Sequence, residues 1–202
     1  MSREDLLLKM YDQMFNDINR HILVVWQSVG VLIGAFAVFA LVEKNVVSLD
    51  FAVCIVLLLS LWLMAHLFDA AYWYNRNLVI IANIERQFLL VQDLKDIHYY
   101  FGSHRPTNKM IYHLRIQMAL GLVLAMLVLG YHFVDRVVPG FSLPISDFSV
   151  ARSLPYILAF VSSGYLFWLK RLNIKKYEEF LRESPGKTIN TTGTQYGVGH
   201  GH

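Results

Sequence analysis

The stretch FAVCIVLLLSLWLMAHLF, Phe51–Phe68, decides the fold, because eighteen consecutive residues pass without a Lys, Arg, Asp or Glu. A helix needs about 20 largely apolar residues to cross a hydrocarbon layer about 30 Å thick, so this run has the length of a membrane span. Three further runs resemble it: Ile22–Val42, Ile116–Val134 and Leu154–Leu169. A membrane barrel would instead show many alternating segments of roughly ten residues. Within lipid every backbone amide must also find its partner inside the segment, which leaves the helix as the spanning element. The pattern predicts an all-α integral membrane protein of four transmembrane helices, arranged as two hairpins with cytoplasmic helical extensions.

Composition agrees. Of 202 residues 55% are hydrophobic, more than a soluble domain of this size needs. The first run does not read as a cleaved signal peptide. Ala35-Phe36-Ala37 has small-residue spacing, but Glu4, Asp5, Asp12 and Asp17 precede the run and Leu41 and Val42 continue it. The lone cysteine, Cys54, leaves no partner for an intramolecular disulfide and no cysteine-rich metal site.

Charge orients the spans. Fifteen Lys and Arg residues fall in the N-terminal segment, the central connection and the C-terminal segment, against three, Lys44, Arg136 and Arg152, in the other two connections. Positive charge is retained on the cytoplasmic side, which predicts that both termini and the centre are cytoplasmic. Trp26, Tyr72-Trp73-Tyr74 and Phe167-Trp168 fall at the depth of the inner interface, where amphipathic rings are favoured.

The chain then divides into five parts. Residues 1–21 form an amphipathic cytoplasmic helix, opened by Ser2 and Asp5 and carrying Leu7, Met10, Met14 and Ile18 at helical spacing. Residues 22–70 are the first transmembrane hairpin. Residues 71–110 are a helical extension and turn, with no Gly or Pro between span 2 and Gly102, so that the second helix is expected to continue to about His98. Residues 111–171 are the second hairpin, and residues 172–202 a cytoplasmic helix followed by a small, polar tail with disordered composition.

Three groups of residues carry the functional expectations. Gly30 and Gly34, Gly121 and Ala125, and Ala159 and Ser163 place small residues four apart, the spacing that lets membrane helices approach closely. Gln27, His66, Asp69 and Gln117 are polar groups within or beside the spans, where they either line an aqueous path or bond across helices. His66 and Asp69, one turn apart, form a candidate pair at the inner mouth of a pore. Ser60, His132, Ser162 and Ser163 are further polar groups of the spans. Ile81, Ile84, Phe88 and Val91 make an apolar stripe on the extension that must be covered, by this chain's terminal helices or by a second copy.

Enzymatic motifs are missing: there is no G-x-S-x-G, no H-E-x-x-H, no phosphate-binding glycine loop and no paired cysteines. The histidines fix no metal geometry. Basic residues are interleaved with acidic ones, so no nucleic-acid partner is expected, and neither catalytic residues, metal nor cofactor is assigned. The layout resembles that of small bacterial membrane effectors and channel subunits, which implies the bacterial inner membrane. The expected function is non-enzymatic: a homo-oligomer in the lipid bilayer forming a pore or gated ion pathway. The alternative is a membrane-anchored sensor or scaffold that docks a soluble cytoplasmic protein.

Overall fold

The computed structural model describes residues 1–90, 93, 105–142 and 149–184, with the side chains of residues 24, 25, 27, 28 and 31 outside that description. The described residues contain helices and no strand. Helix α1 runs Arg3–Glu43, α2 Leu49–Phe88, α3 Tyr112–His132 and α4 Val150–Glu183. Beyond α3 the chain passes through a π turn, Phe133–Val137, and a 3-10 turn, Val138–Ser142. Three helices are long and apolar enough to cross a membrane: α2, α3 with its two turns to Ser142, and α4. The apolar described part of α1, Leu32–Glu43, is shorter.

Local chemistry sets the helix ends. At the start of α1 the Ser2 amide donates to Asp5 Oδ2 at 2.8 Å while Ser2 Oγ accepts from the Asp5 amide at 3.0 Å, a reciprocal capping box. At its end Asn45 takes φ 55°, the left-handed region, and two bonds close the cap: Asn45 N–H to Val42 O at 2.9 Å and Val46 N–H to Leu41 O at 3.0 Å. This is the Schellman arrangement with Asn where Gly is commonest, since a short polar side chain tolerates that conformation. Ser48 then caps α2, its Oγ accepting from the Phe51 amide at 3.3 Å. The far end of α2 differs from expectation. The helix stops at Phe88 rather than near His98, and there the Leu90 amide donates to Asp93 Oδ2 at 2.7 Å instead of to a carbonyl of the preceding turn. An Asp side chain competing for a backbone amide in this way favours a break in the helix.

The chain resolves into two compact units. The first gathers the described residues of Met1–Ile22 and Ala70–Lys109 and those from Leu172 onward; the second gathers Leu23–Asp69 and Met110–Arg171. In the first unit Ile18, Leu78 and Ile81 form a core flanked by Tyr11, Met14, Phe15, Ile22 and Tyr74. In the second, Ala35, Val53, Val56, Leu57 and Val128 form the core, with Leu124, Ala125, Leu158 and Ala159 against it. Helix α2 is the most enclosed of the three candidate spans: 44% of its apolar window is buried, against 17% for α3 and 11% for α4.

Candidate functional site

The second unit holds a cluster of ionisable side chains where α2 begins, α3 ends and α4 begins. Asp50 is the second residue of α2, where a carboxylate faces the unpaired amides of a helix N-terminus. His132 is the last residue of α3, fully buried. Arg136 follows one turn later in the π turn, and Tyr156 follows the buried Pro155 in α4.

These four side chains form one chain of hydrogen bonds. His132 Nε2 lies 2.9 Å from Asp50 Oδ1, and His132 Nδ1 lies 3.0 Å from the Tyr156 hydroxyl. Arg136 reaches both carboxylate oxygens, Nε to Oδ1 and Nη2 to Oδ2, each at 3.2 Å. The geometry is satisfied with a neutral imidazole: Tyr156 donates to Nδ1, and the ring proton on Nε2 donates to Asp50. It is also satisfied with an imidazolium, because the hydroxyl can turn and accept. The Asp50 charge is compensated in either state by Arg136, whose side chain is 37% exposed where that of His132 is 0%. A buried acid, base and hydroxyl in series can hold or relay a proton. The site joins three helices, and its imidazole, buried with both ring nitrogens bonded, is closed to substrate. Among the described residues no group of three or more His, Cys, Asp and Glu is placed to hold a metal ion.

The residues singled out from sequence are distributed as follows. Gly121 lies against α2: a Cβ there would meet Met64 Cγ at 3.3 Å and Leu63 Cδ2 at 3.4 Å. Ala125 and Ala159 pack on the core of the second unit. Gly30 and Gly34 are exposed, with nothing within 4 Å of a Cβ at either, and Ser163 is exposed with its hydroxyl donating to Ala159 O at 2.8 Å. His66 stacks on Trp62 with ring centroids 5.0 Å apart, and Asp69 is exposed; among the described residues no hydrogen bond or ion pair joins the two. Gln117 is half-buried and its Oε1 is enclosed without a hydrogen-bond partner. The Gln27 side chain and Val91 lie outside the described residues, as does the C-terminal tail. Ile81 and Ile84 are buried, Ile81 against Ile18 of α1, and Phe88 is partly exposed.

Beside that stripe the Tyr11 hydroxyl donates to Glu85 Oε1 at 3.2 Å, while Glu85 Oε2 is buried without a partner. Burial raises the Glu85 carboxyl above the ordinary carboxylate range, and the Tyr11 bond partly opposes that. Burial likewise raises Tyr177, to about 12; its hydroxyl donates to Arg105 O at 2.8 Å.

Sequence reasoning noted His132 as a polar group of a span and Arg136 as a topological charge, and it passed over Asp50 and Tyr156. A signal was present: Asp50 opens one span while His132 and Arg136, four residues apart, close another on the same predicted side. Fold and site together define a helical protein with candidate membrane-spanning helices and a buried charged network at one end of them. Comparison with known proteins gives no significant match to a family model, a curated protein or a solved structure.

Proposed function

We propose that this chain is a non-enzymatic, bacterial-type inner-membrane sensor or scaffold subunit. Its four spans form two hairpins, both termini are cytoplasmic, and a soluble cytoplasmic protein docks on its helical extensions. The charge distribution supports that orientation, in which the Asp50 network lies on the outer side. The observation that carries the reading is the layout of α2, one unbroken helix with Asp50 in the buried network near its first residue and Ile81 and Glu85 against α1 near its last turns. Asp50 and the face formed by Ile81 and Glu85 thereby belong to one continuous helix.

The test is reconstitution of the full chain into liposomes, with ion flux recorded and amide exchange followed over residues 11–18 and 78–88. A silent bilayer, together with faster exchange in those segments after Asp50→Asn, supports transmission along α2. Unchanged exchange refutes it. A homo-oligomeric pore is the second reading, favoured by the open face at Gly30 and Gly34, which another backbone can approach, and by exposed Asp69. Flux abolished by Asp69→Asn would establish that reading instead.

A further inference from the structure

We propose that Arg76 and Arg105 form a binding site for the phosphodiester of an anionic phospholipid, in the leaflet nearer the N-terminus. The inference rests on α2 crossing the bilayer and is independent of whether the protein is a sensor or a pore. All the residues concerned lie in the first unit.

The Arg76 guanidinium lies against two rings, its central carbon 5.0 Å from the Trp73 ring centroid and 5.5 Å from that of Phe180. Arg105 lies over Tyr74 at 5.8 Å. Two anchors hold the segment carrying Arg105 to this turn of α2. The Asn75 side-chain Nδ2 donates to Asn108 Oδ1 and to Lys109 O, both at 2.9 Å, and the Tyr177 hydroxyl donates to Arg105 O. Asn75 and Tyr177 are both fully buried, so the backbone carrying Arg105 is held to this turn by the fold.

Rings that cover the flat faces of a guanidinium leave its N–H donors, which lie in the plane, directed outward. For Arg76 one of them makes a long 3.5 Å contact to Asn77 Oδ1. Among the described residues neither Arg76 nor Arg105 is paired with a carboxylate; the ion pairs present involve Asp17, Asp50 and Glu179. A half-buried guanidinium with no carboxylate partner has donors to spare, and its position decides which acceptor is within reach. Arg76 lies eight residues beyond Phe68, the end of the apolar run, on the same helix, and its side chain folds back over Trp73, about one turn toward the bilayer. Tyr72, Trp73 and Tyr74 mark the interfacial depth. The acceptor at that depth is a lipid phosphate, whose two non-bridging oxygens match the fork of an arginine as a carboxylate does. A net negative headgroup is favoured over a zwitterionic one, whose own ammonium competes for the phosphate.

The test uses the full chain in detergent micelles, titrated with phosphatidylglycerol or phosphatidylcholine, with retained lipid read by native mass spectrometry. The wild-type protein should retain phosphatidylglycerol preferentially. Arg76→Gln should weaken that retention about tenfold or more, the loss expected for a charge-assisted hydrogen bond. Arg76→Lys, which keeps the charge without the fork, should fall between, and Arg105→Gln should weaken retention in the same direction. Lys175→Gln, a charge removed from the exposed side of α4, controls for net charge and should leave retention unchanged. Equal retention of the two lipids by the wild type, or equal retention by wild type and Arg76→Gln at matched helical content, overturns the proposal. Displacement of bound lipid by millimolar inorganic phosphate also overturns it, by assigning the site to the free anion.

Discussion

Asp50→Ala is the most informative single change, because three hydrogen bonds end on that carboxylate and their burial differs. The bond from His132 is enclosed, with the imidazole side chain 0% exposed, and its loss leaves a buried ring nitrogen without a partner. A hydrogen bond to a charged group contributes roughly 1.5–3 kcal/mol, and an orphaned buried donor costs a comparable amount. The two bonds from Arg136 come from a side chain that is 37% exposed and can turn to water or headgroups, so they add about 1 kcal/mol at most. Counting the His132 loss once, at about 2 kcal/mol, and the Arg136 pair at about 1 kcal/mol, the cost is about 3 kcal/mol, which in a chain of this length lowers the melting temperature by roughly 6–12 °C. Asp50→Asn keeps an oxygen that accepts from His132 Nε2 and loses the charge facing Arg136, so its effect should be about half as large. Arg136→Gln should be the mildest, shifting the midpoint by about 2–4 °C or less. The assay is thermal unfolding in one detergent, followed by tryptophan fluorescence. An Arg136→Gln variant more damaging than both Asp50 variants, or a midpoint shift of less than about 2 °C for Asp50→Ala, would overturn this ordering.

Other substitutions probe the two units separately. Burial raises the Glu85 carboxyl, so the folded protein holds that proton to higher pH than the unfolded chain; its contribution is complete below the ordinary carboxylate range and declines as pH rises through the raised value. Glu85→Gln should therefore flatten the fall in melting temperature between acid and neutral pH and raise the neutral value by about 1–3 °C, measured across a pH series. Gly121→Leu forces side-chain atoms against Leu63 and Met64 and should cost about 1–3 kcal/mol in chemical unfolding, whereas Gly34→Leu, on an open face, should leave the isolated chain's stability unchanged. Asn75→Leu removes the donors serving Ala71 O, Asn108 Oδ1 and Lys109 O, and should loosen residues 105–109 as read by faster amide exchange at a cost of about 2 kcal/mol.

Much of the helix pattern was legible because it rests on local rules. The uncharged runs at Phe51–Phe68, Ile116–Val134 and Leu154–Leu169 lie within helices long and apolar enough to span, and Ser2 with Asp5 reads as a capping box and forms one. The end of α2 was not legible, since the absence of Gly and Pro permits a helix to continue but does not oblige it to, and Asp93 diverts the Leu90 amide. The charged network was harder still. Its members are 82 and 86 residues apart in the chain, and periodicity reports which face of a helix is buried without naming the side chain on the other side. His66 and Asp69 show the converse. They share a helix turn, but the imidazole turns to the Trp62 ring, because one-turn spacing sets proximity of backbones and leaves side-chain partners to the neighbours.

The exposed surface of α4 bears on the choice between the two functional readings. Phe160 is 82% exposed and Ile157, Val161, Phe167 and Trp168 are exposed as well, while Leu158 and Ala159 pack inward. In water so broad an apolar face would demand a protein partner. In a bilayer it demands none, since lipid tails solvate leucine as well as another leucine does, and helices associate there through close backbone approach or polar bonds. An oligomer must therefore be argued from Gly30 and Gly34 and from accessible polar groups, and a pore specifically from the latter. Gln117 supplies little to such a lining, because its carbonyl oxygen is enclosed by this chain's own atoms rather than turned toward an aqueous axis. What is built with the most polar contacts among the candidate spans is the Asp50 network, and a network of that kind is seldom the route to greatest stability, since apolar replacements of a buried ion pair are often neutral or better. It admits two bonding patterns, with Tyr156 donating to His132 or accepting from it, a property that the proposed sensing element would use and a pore wall would not.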